Sequence, residues 1–292
     1  MTWQMYRWVW KLDSPIHLGL APSGILNRTR LFISARTIWG ALTAELSRRR
    51  AGNSFPNYES VGRELQQSVR FTYLFPAEKI NRNWFAWLPT FKSPQVDGEE
   101  IKEFPYWINE NTNKKSLSSR EFRKRILSSR PSTAIHPGRF SAEEGTLREM
   151  EVIEKHWKSE DVENRQVAFV GYVFIRSDAS IGDEIFEINE LFVGADTRYG
   201  LGRIVREGEP SHENKCFGKE VELNRNNPLI KTDTILAHLN ASKISFLKGS
   251  MEMVQQWDKG NILISGLAWI PGSFDKEEQE FSIMQNGFWE SR

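Results

Sequence analysis

The residues best suited to chemistry lie in a glycine-rich segment of the chain, the glycine loop, which runs from residue 194 to residue 203. Its three glycines lack the Cβ atoms that would keep a ligand away from the backbone. Two arginines bring fixed positive charge, and a tyrosine brings an aromatic face. Exposed backbone N–H groups, guanidinium forks and a flat ring suit a phosphodiester chain with its bases. The candidate nucleic-acid contacts in this loop are Gly194, Thr197, Arg198, Tyr199, Gly200, Gly202 and Arg203.

A plainer interpretation of the glycine loop is that it lets a helix end and turn into a strand, which is the usual role of such glycines. The common phosphate motifs are absent, since no GxGxxG follows a strand and no GxxxxGK precedes Ser or Thr. A mononucleotide site is therefore not expected. Other segments must support the nucleic-acid interpretation.

A second candidate is the arginine loop, residues 27–36, which holds three arginines just before a predicted helix. The N-terminus of a helix offers unpaired backbone donors and a favourable dipole for phosphate. The alternative is that these arginines are only solvent-exposed. The candidate contacts are Arg28, Arg30 and Arg36.

A third candidate is the basic segment, residues 114–130, in which seven cations face one acid, Glu121. Charge runs are usually solvated faces, but this density of arginine makes an RNA or DNA contact at least as plausible. An acidic stretch from Glu143 to Glu163 follows. The site residues predicted in and after this segment are Arg120, Arg123, Lys124, Arg125 and Arg139.

Metal and nucleophile chemistry find little support in the sequence. No HExxH occurs, and His212 with Cys216 has no partners at the spacing of a zinc site, so no metal and no cofactor is expected. No GxSxG motif occurs either. His17 follows the first predicted strand beside a basic loop, where a general base for RNA cleavage could lie. A lone histidine more often packs or makes a structural hydrogen bond.

The elements that must position these residues alternate between strands and single helices. Ser34 is predicted to cap a helix from Ala35 to Arg49, and a second helix begins at Ile181, with Ile185, Ile188 and Leu191 at helical spacing. The residues after Ile270 are predicted to be a polar C-terminus. Paired strands between single helices predict an α+β, ferredoxin-like fold with an antiparallel sheet. The predicted strands are 3–12, Val69–Phe75, Trp84–Leu88, Thr146–Ile153, Val167–Ile175 and Ile262–Ile270.

The totals describe an ordinary folded protein with a local site. At 292 residues and a net charge of +1, the chain has no global field for a polyanion, so any nucleic-acid surface must be local. The single cysteine, Cys216, fits a reducing compartment, and no apolar run is long enough for a membrane span. A cytoplasmic protein without membrane contact is expected. Most of the eleven tryptophans are expected in the core.

Taken in order, several segments resemble the RAMP superfamily of CRISPR-associated proteins. Leu12–Gly19 is similar to the first strand and turn of that family, and Phe32–Leu42 resembles the segment that leads into its first helix. Thr133–Leu147 resembles the stretch of the family that ends in Glu-Gly-Ala-Leu. The glycine loop is the fourth feature. No single one of these motifs is specific for the family, but the occurrence of all four in this order is.

The resemblance implies a ferredoxin-like core, similar to an RNA-recognition motif, over residues 1–206, with a basic insertion near 90–140. Residues 207–292 would be a C-terminal extension or a degenerate second ferredoxin-like half. The implied function is that of a subunit of a type III effector complex, in the backbone or 5′-tag cap group. Its partners would be CRISPR guide RNA, target RNA through the guide, and other effector subunits.

Departures from the family pattern favour a subunit that does not cleave. Subunits of this family that cut target RNA carry an aspartate between the first strand and the first helix, whereas no acid lies between Ser14 and Glu45. His136 stands where the family usually has aspartate. Two alternatives remain open. One is a processing endoribonuclease that uses His17, and the other is a protein-interaction subunit that uses tryptophan-rich surfaces and contacts RNA little.

Overall fold

The computed structural model describes residues 2–92, 105–111, 116–159, 164–243, 247–258 and 261–292. The described residues of the N-terminal part form a large antiparallel sheet, a small sheet and four α-helices. The helices are α1 (Ala35–Ala51), α2 (Tyr58–Ser68), α3 (Ser119–Ile126) and α4 (Ile181–Phe186). The strands are β1 (Trp3–Leu12), β2 (Leu26–Asn27), β3 (Val69–Phe71), β4 (Phe75–Ile80), β5 (Asn83–Thr90), β6 (Tyr106–Asn109), β7 (Ser116–Ser118), β8 (Leu127–Ser132), β9 (Arg148–Ile153), β10 (Asn164–Arg176), β11 (Glu190–Phe192), β12 (Arg203–Arg206) and β13 (Ser211–His212).

The large sheet has the order β11-β12-β1-β10-β4-β5-β6-β7, with β3 also pairing β10 and β13 also pairing β1. In its centre β1 and β10 run antiparallel, from the pair Trp3–Arg176 to the pair Lys11–Ala168. Helix α1 joins β1 to the β3–β4 strand, and α4 joins β10 to β11 and β12. The first and third strands of the motif are thus central and the second and fourth flank them, which is the ferredoxin-like arrangement.

Helix α1 forms as its sequence predicts. The Ser34 side chain accepts a hydrogen bond from the Thr37 N–H at 3.4 Å, and the helix ends at Gly52, whose φ is +53°. Ile38, Leu42 and Leu46 lie one turn apart and are buried against the sheet. An N-cap of this kind contributes about 1 kcal/mol to stability. The capped N-terminus of α1 therefore fixes the position of the arginine loop beside β1.

An insertion between β5 and β10 carries the basic segment. Strands β8 and β9 form an antiparallel hairpin, and β2 from the loop after β1 adds to β9 in parallel. The resulting three-stranded sheet has the order β2-β9-β8. Helix α3 precedes this hairpin. The insertion is thereby attached directly to the loop between β1 and α1.

The C-terminal part is a second sheet packed on the first. Its described residues contain strands and one 3₁₀ turn, and no α-helix, so they lack the two helices of a second ferredoxin-like half. The sheet order is β14-β15-β16-β20-β21-β17-β19-β18. These strands are β14 (Lys215–Cys216), β15 (Lys219–Glu222), β16 (Leu229–Thr234), β17 (Leu239–Asn240), β18 (Met251–Asp258), β19 (Asn261–Trp269), β20 (Phe274–Ile283) and β21 (Trp289–Ser291).

A continuous hydrophobic core joins the two parts. The Phe217 ring packs edge-on against Tyr172, with centroids 4.9 Å apart, and the Tyr73 hydroxyl lies 2.6 Å from Nδ1 of His238. The Trp3 indole N–H donates to the carbonyl of Arg225 at 3.0 Å. Residue 206 is therefore not a break in packing, and the division of the chain there stays a prediction.

The tryptophans whose side chains the structure describes belong to this core rather than to the surface. Trp39 is half-buried and donates its indole N–H to the Gly62 carbonyl at 3.0 Å. Tryptophan-rich surfaces for neighbouring subunits are thus not found among the described side chains, because burial of these rings stabilises the chain itself. The buried tryptophans are Trp3, Trp8, Trp10, Trp84, Trp87, Trp107, Trp157, Trp269 and Trp289.

Three predictions of elements were wrong in detail. Helix α4 ends at Phe186, so Ile188 and Leu191 are not helical; Leu191 pairs with Ile204 in the sheet. Both environments bury isoleucine and leucine, so spacing alone did not mark the boundary. The predicted run 69–75 is interrupted at Thr72, whose hydroxyl accepts the N–H of Tyr172 at 2.9 Å. Helix α2 was not predicted, and the stretch after Ile270 that was predicted to be a polar C-terminus contains the strands β20 and β21. No helix in the described ranges is long and apolar enough to cross a membrane.

Candidate nucleic-acid interface

Close backbone packing explains two of the glycines in the glycine loop. A Cβ on Gly202, whose φ is +79°, would lie 2.0 Å from the Val193 carbonyl oxygen, and one on Gly194 would lie 2.3 Å from that of His17. These distances are far inside van der Waals contact, so only glycine fits. The Gly202 N–H donates to the Pro15 carbonyl at 2.8 Å. These glycines fix the loop against the chain that follows β1.

The middle of the glycine loop points outward. Residues Thr197–Tyr199 form one 3₁₀ turn, entered through Asp196 in the left-handed conformation. The Tyr199 side chain is 75% exposed, and Gly200 has open space where a Cβ would stand. Arg198 is exposed and makes no ion pair within the described ranges. Arg198, Tyr199 and Gly200 are thus accessible to a ligand, and their contact with nucleic acid stays a prediction.

Arg203 is differently placed. Its guanidinium binds Asp13 at 2.6 Å and Glu190 at 2.6 Å, one carboxylate on each side. The Glu190 carboxylate raises the pKa of Arg203, with Asp13 contributing less. A phosphate would have to compete with both acids for this charge. The sequence did not show this, because Asp13 is 190 residues away in the chain.

The three arginines of the arginine loop also differ in their partners and in their exposure. Arg28 is half-buried and makes no ion pair with the described residues, so its charge is available to a ligand. Arg30 binds Glu252 of β18 at 2.9 Å and donates to the Gly19 carbonyl. Arg36 is half-buried beside Tyr73, and burial lowers its pKa. Arg30 and Arg36 therefore contribute to the junction between the two sheets.

Helix α3 begins with a capping box. The Ser118 hydroxyl accepts the Glu121 N–H at 3.3 Å, while the Glu121 carboxylate accepts the Ser118 N–H at 2.9 Å. Hydrogen bonds from Ser118 lower the pKa of Glu121. Arg120 and Lys124, four residues apart, are exposed on one side of the helix and form no ion pair in the structure described, although Lys124 lies near enough to Glu121 to help lower the pKa of that carboxylate.

The other side of α3 is buried. The Arg125 side chain is 9% exposed, and its guanidinium lies 5.5 Å from the Trp87 ring and 5.7 Å from the Trp157 ring. The prediction that Arg125 contacts RNA is not supported by this placement, because the helical period turns it into the core. Of the other basic residues in the segment, Lys114 and Lys115 lie outside the described residues.

A junction at Glu151 of β9 brings the three segments together. Its Oε1 binds Nη2 of Arg123 at 2.6 Å, and its Oε2 accepts the Thr29 N–H at 2.9 Å. Its carbonyl oxygen lies 2.7 Å from Nδ1 of His17, the residue over which the glycine loop packs. Sequence reasoning missed Glu151 within the acidic stretch; its only signal is its position in an alternating strand.

His17 is held as a structural residue. The side chain is 6% exposed, and one ring nitrogen is used by the Glu151 carbonyl. Its carbonyl accepts the Ala195 N–H at 3.0 Å. A general base must reach the proton that it removes, and burial under the glycine loop denies His17 that access.

The tip of the β8–β9 hairpin carries the remaining predicted contact. Arg139 is exposed there, and its N–H donates to Nδ1 of His136 at 3.2 Å. The same nitrogen accepts the Gly138 N–H at 3.1 Å, so His136 shapes a turn. Phe140 beside it is 86% exposed with a φ of +53°. Among the residues that the structure describes, no group of three His, Cys, Asp or Glu side chains could hold a metal ion.

Comparison with known proteins gives structural matches only. No protein-family model matches the sequence, and no curated protein matches it. One similar chain occurs in the cryo-EM structure of the Type III-B Cmr-beta bound to cognate target RNA and AMPPnP, state 1. Its TM-score is 0.55 at 12% identity, over 91% of this chain and 84% of that chain.

A second similar chain occurs in the cryo-EM structure of the Type III-B Cmr-beta bound to cognate target RNA. Its TM-score is 0.53 at 14% identity, over 91% of this chain and 85% of that chain. At these identities the likeness is one of fold. The expected α+β, ferredoxin-like fold is confirmed, and this chain shares it with chains of type III CRISPR structures.

Proposed function

We propose that this chain is a non-cleaving subunit of a type III CRISPR RNA-guided effector complex that binds the guide-RNA backbone. The observation that carries the proposal is the convergence of the arginine loop, helix α3 and the glycine loop on Glu151 and His17. The fold shared with chains of Type III-B Cmr-beta assemblies supports this class of complex.

The exposed groups on these segments, together with Arg139 at the tip of the β8–β9 hairpin, suit a single-stranded polyanion. Arg120, Lys124, Arg139 and Arg198 would contact phosphates, since all four are exposed and none forms an ion pair among the described residues. The exposed Tyr199 ring would stack on a base. Contacts of this kind read no sequence, so base pairing with the guide would select target RNA. Target RNA would reach this chain through the guide.

The non-cleaving part of the proposal rests on the loop between β1 and α1. The one acid of this loop, Asp13, directly follows β1 and is bound to Arg203 at 2.6 Å, and no acid occurs between Ser14 and Glu45. Its histidine, His17, is buried and hydrogen-bonded to a carbonyl. The processing endoribonuclease that would use His17 is therefore the weaker candidate.

The test is co-purification from cells that express the neighbouring genes and a CRISPR array, followed by sequencing of the bound RNA. We expect mature guides that share one 5′ tag, together with partner subunits. A triple variant, Arg120→Ala, Lys124→Ala and Arg198→Ala, should lower guide recovery about tenfold or more. The matched control replaces three exposed cations elsewhere, Arg63, Lys231 and Lys276, and should bind normally.

Other outcomes would contradict the proposal. Recovery of this chain alone with freshly cut precursor repeats would favour the endoribonuclease. Recovery of partner subunits without RNA would favour the protein-interaction subunit. One observation supports that alternative: Met251, Met253 and Leu267 are exposed together on β18 and β19. RNA binding that does not weaken with salt would also count against phosphate contacts.

A further inference from the structure

The carboxylate of Glu151 is placed to act on two of the three RNA-facing segments at once. It is 15% exposed, and its two oxygens have different partners: the Arg123 guanidinium at 2.6 Å and the Thr29 backbone N–H at 2.9 Å. The first partner lies on α3 and the second in the arginine loop. A single side chain therefore links the helix to the loop.

The contact with Thr29 fixes the course of the arginine loop. The Thr29 hydroxyl accepts the Leu18 N–H at 2.8 Å, and the Arg30 N–H donates to the Leu18 carbonyl at 2.7 Å. These bonds place Arg28 beside β2 and β9. Without the Glu151 acceptor, the buried Thr29 N–H would lose its partner, which costs about 1–3 kcal/mol.

The contact with Arg123 has the opposite consequence for a polyanion. A carboxylate at 2.6 Å neutralises the guanidinium and occupies one edge of its donor fork. The Arg123 side chain is 27% exposed, so a phosphate could reach it if the carboxylate did not compete. Glu151 therefore orders one RNA-facing segment and limits the charge of another.

We propose that Glu151 is a positioning residue of the guide-RNA face, a role that rests on the proposed function. Through Thr29 it holds the arginine loop in its binding conformation. Through Arg123 it sets how much positive charge α3 presents to phosphate. The two roles separate by substitution, because glutamine keeps an acceptor for the Thr29 N–H but removes the ion pair.

Glu149 provides a matched control on the same strand. It lies two residues earlier and so on the same face of β9, and its carboxylate contacts only the Ser129 hydroxyl, at 3.4 Å, in the described structure. Glu149→Gln removes the same formal charge without releasing an arginine. Any difference between the two glutamine variants therefore reports the Arg123 pair rather than net charge.

The experiment measures guide-RNA affinity against salt for the full chain, with its partner subunits if they are required. Glu151→Gln should bind about fivefold more tightly than Glu149→Gln, with a salt slope steeper by about 0.7, the value of one added single-strand phosphate contact. Adding Arg123→Ala to Glu151→Gln should abolish the gain. Equal affinities for the two glutamine variants would overturn the role at Arg123 and leave the proposed function standing.

Hydrogen exchange without RNA tests the role at Thr29. Glu151→Ala should speed exchange in peptides that cover residues 18–31 about tenfold, whereas Glu151→Gln should leave it near the wild-type rate. Unchanged exchange in Glu151→Ala would overturn the positioning role even if RNA binds. Faster exchange together with no RNA binding by the wild-type chain would overturn the proposed function and support only the ordering of the loop.

Discussion

Helix α3 and the glycine loop look alike in sequence, because both are short and rich in arginine, but the structure uses their arginines differently. In α3 the division is local: Arg120 and Lys124 face solvent while Arg125 faces Trp87 and Trp157. In the glycine loop the division depends on distant acids. Arg198 stays exposed, whereas Arg203 binds Asp13 and Glu190.

This difference shows what a count of cations measures. The side of a helix on which an arginine lies follows from its place in the 3.6-residue period, so Arg125 falls on the buried side with Phe122 and Ile126 once the bounds of α3 are known. The fate of an arginine in a loop follows from whatever the fold brings beside it. The number of arginines and lysines in a segment is therefore an upper limit to the positive charge that a ligand can reach.

The largest expected effect tests the buried side of α3. Arg125→Ala should reduce the free energy of unfolding by about 3 kcal/mol, because it removes the packing of the Arg125 side chain and its contacts with two tryptophan rings. Chemical denaturation of both variants measures it, and Lys124→Ala on the exposed side should change stability by less than about 0.5 kcal/mol. Equal losses for the two would mean that Arg125 is not a core residue.

A second test separates the glycines of the glycine loop. Gly202→Ala places a Cβ against the Val193 carbonyl and should cost about 2–3 kcal/mol, while Gly200→Ala meets open space and should cost only about 1 kcal/mol for its positive φ. Thermal unfolding compares the two. A larger loss of stability in Gly200→Ala than in Gly202→Ala would contradict the outward orientation of the turn.

A third test compares the free and the paired arginine of the glycine loop. Arg198→Ala should lower guide-RNA affinity about fivefold and flatten the salt slope by about 0.7, while Arg203→Ala should change affinity less than twofold. Fluorescence anisotropy at several salt concentrations measures both constants. A larger loss in Arg203→Ala would show that the phosphate displaces Asp13 and Glu190.

The smallest effect concerns the capping box of α3. The lowered pKa of Glu121 means that its ionised form stabilises the folded state above its ordinary pKa, and this contribution is lost as the pH falls through the lowered value. Glu121→Ala should therefore cost about 0.5 kcal/mol at pH 7, a small value because the site is solvent-exposed, and nothing near pH 2. A difference that persists in acid would assign the loss to helix propensity.

Much of the fold followed from local sequence signals. The alternation in residues 3–12 gives β1, and Ser34 caps α1, because each signal acts within a few residues. The order of strands and helices then indicated the ferredoxin-like sheet. Boundaries were less secure where helix and strand bury the same residue types, as at Ile188 and Leu191. In the eight-stranded C-terminal sheet, β19 matches the predicted run Ile262–Ile270, whereas the other strands lie in polar stretches and left no such signal.

The sequence by itself thus determined which segments carry charge and which elements hold them. Only the tertiary structure decided which charges a ligand can reach. Glu151 lies 28 residues from Arg123 and 122 from Thr29, and Asp13 lies 190 from Arg203. Such pairs form because sheet register and loop packing bring remote carboxylates within hydrogen-bond distance, and no local pattern encodes that proximity.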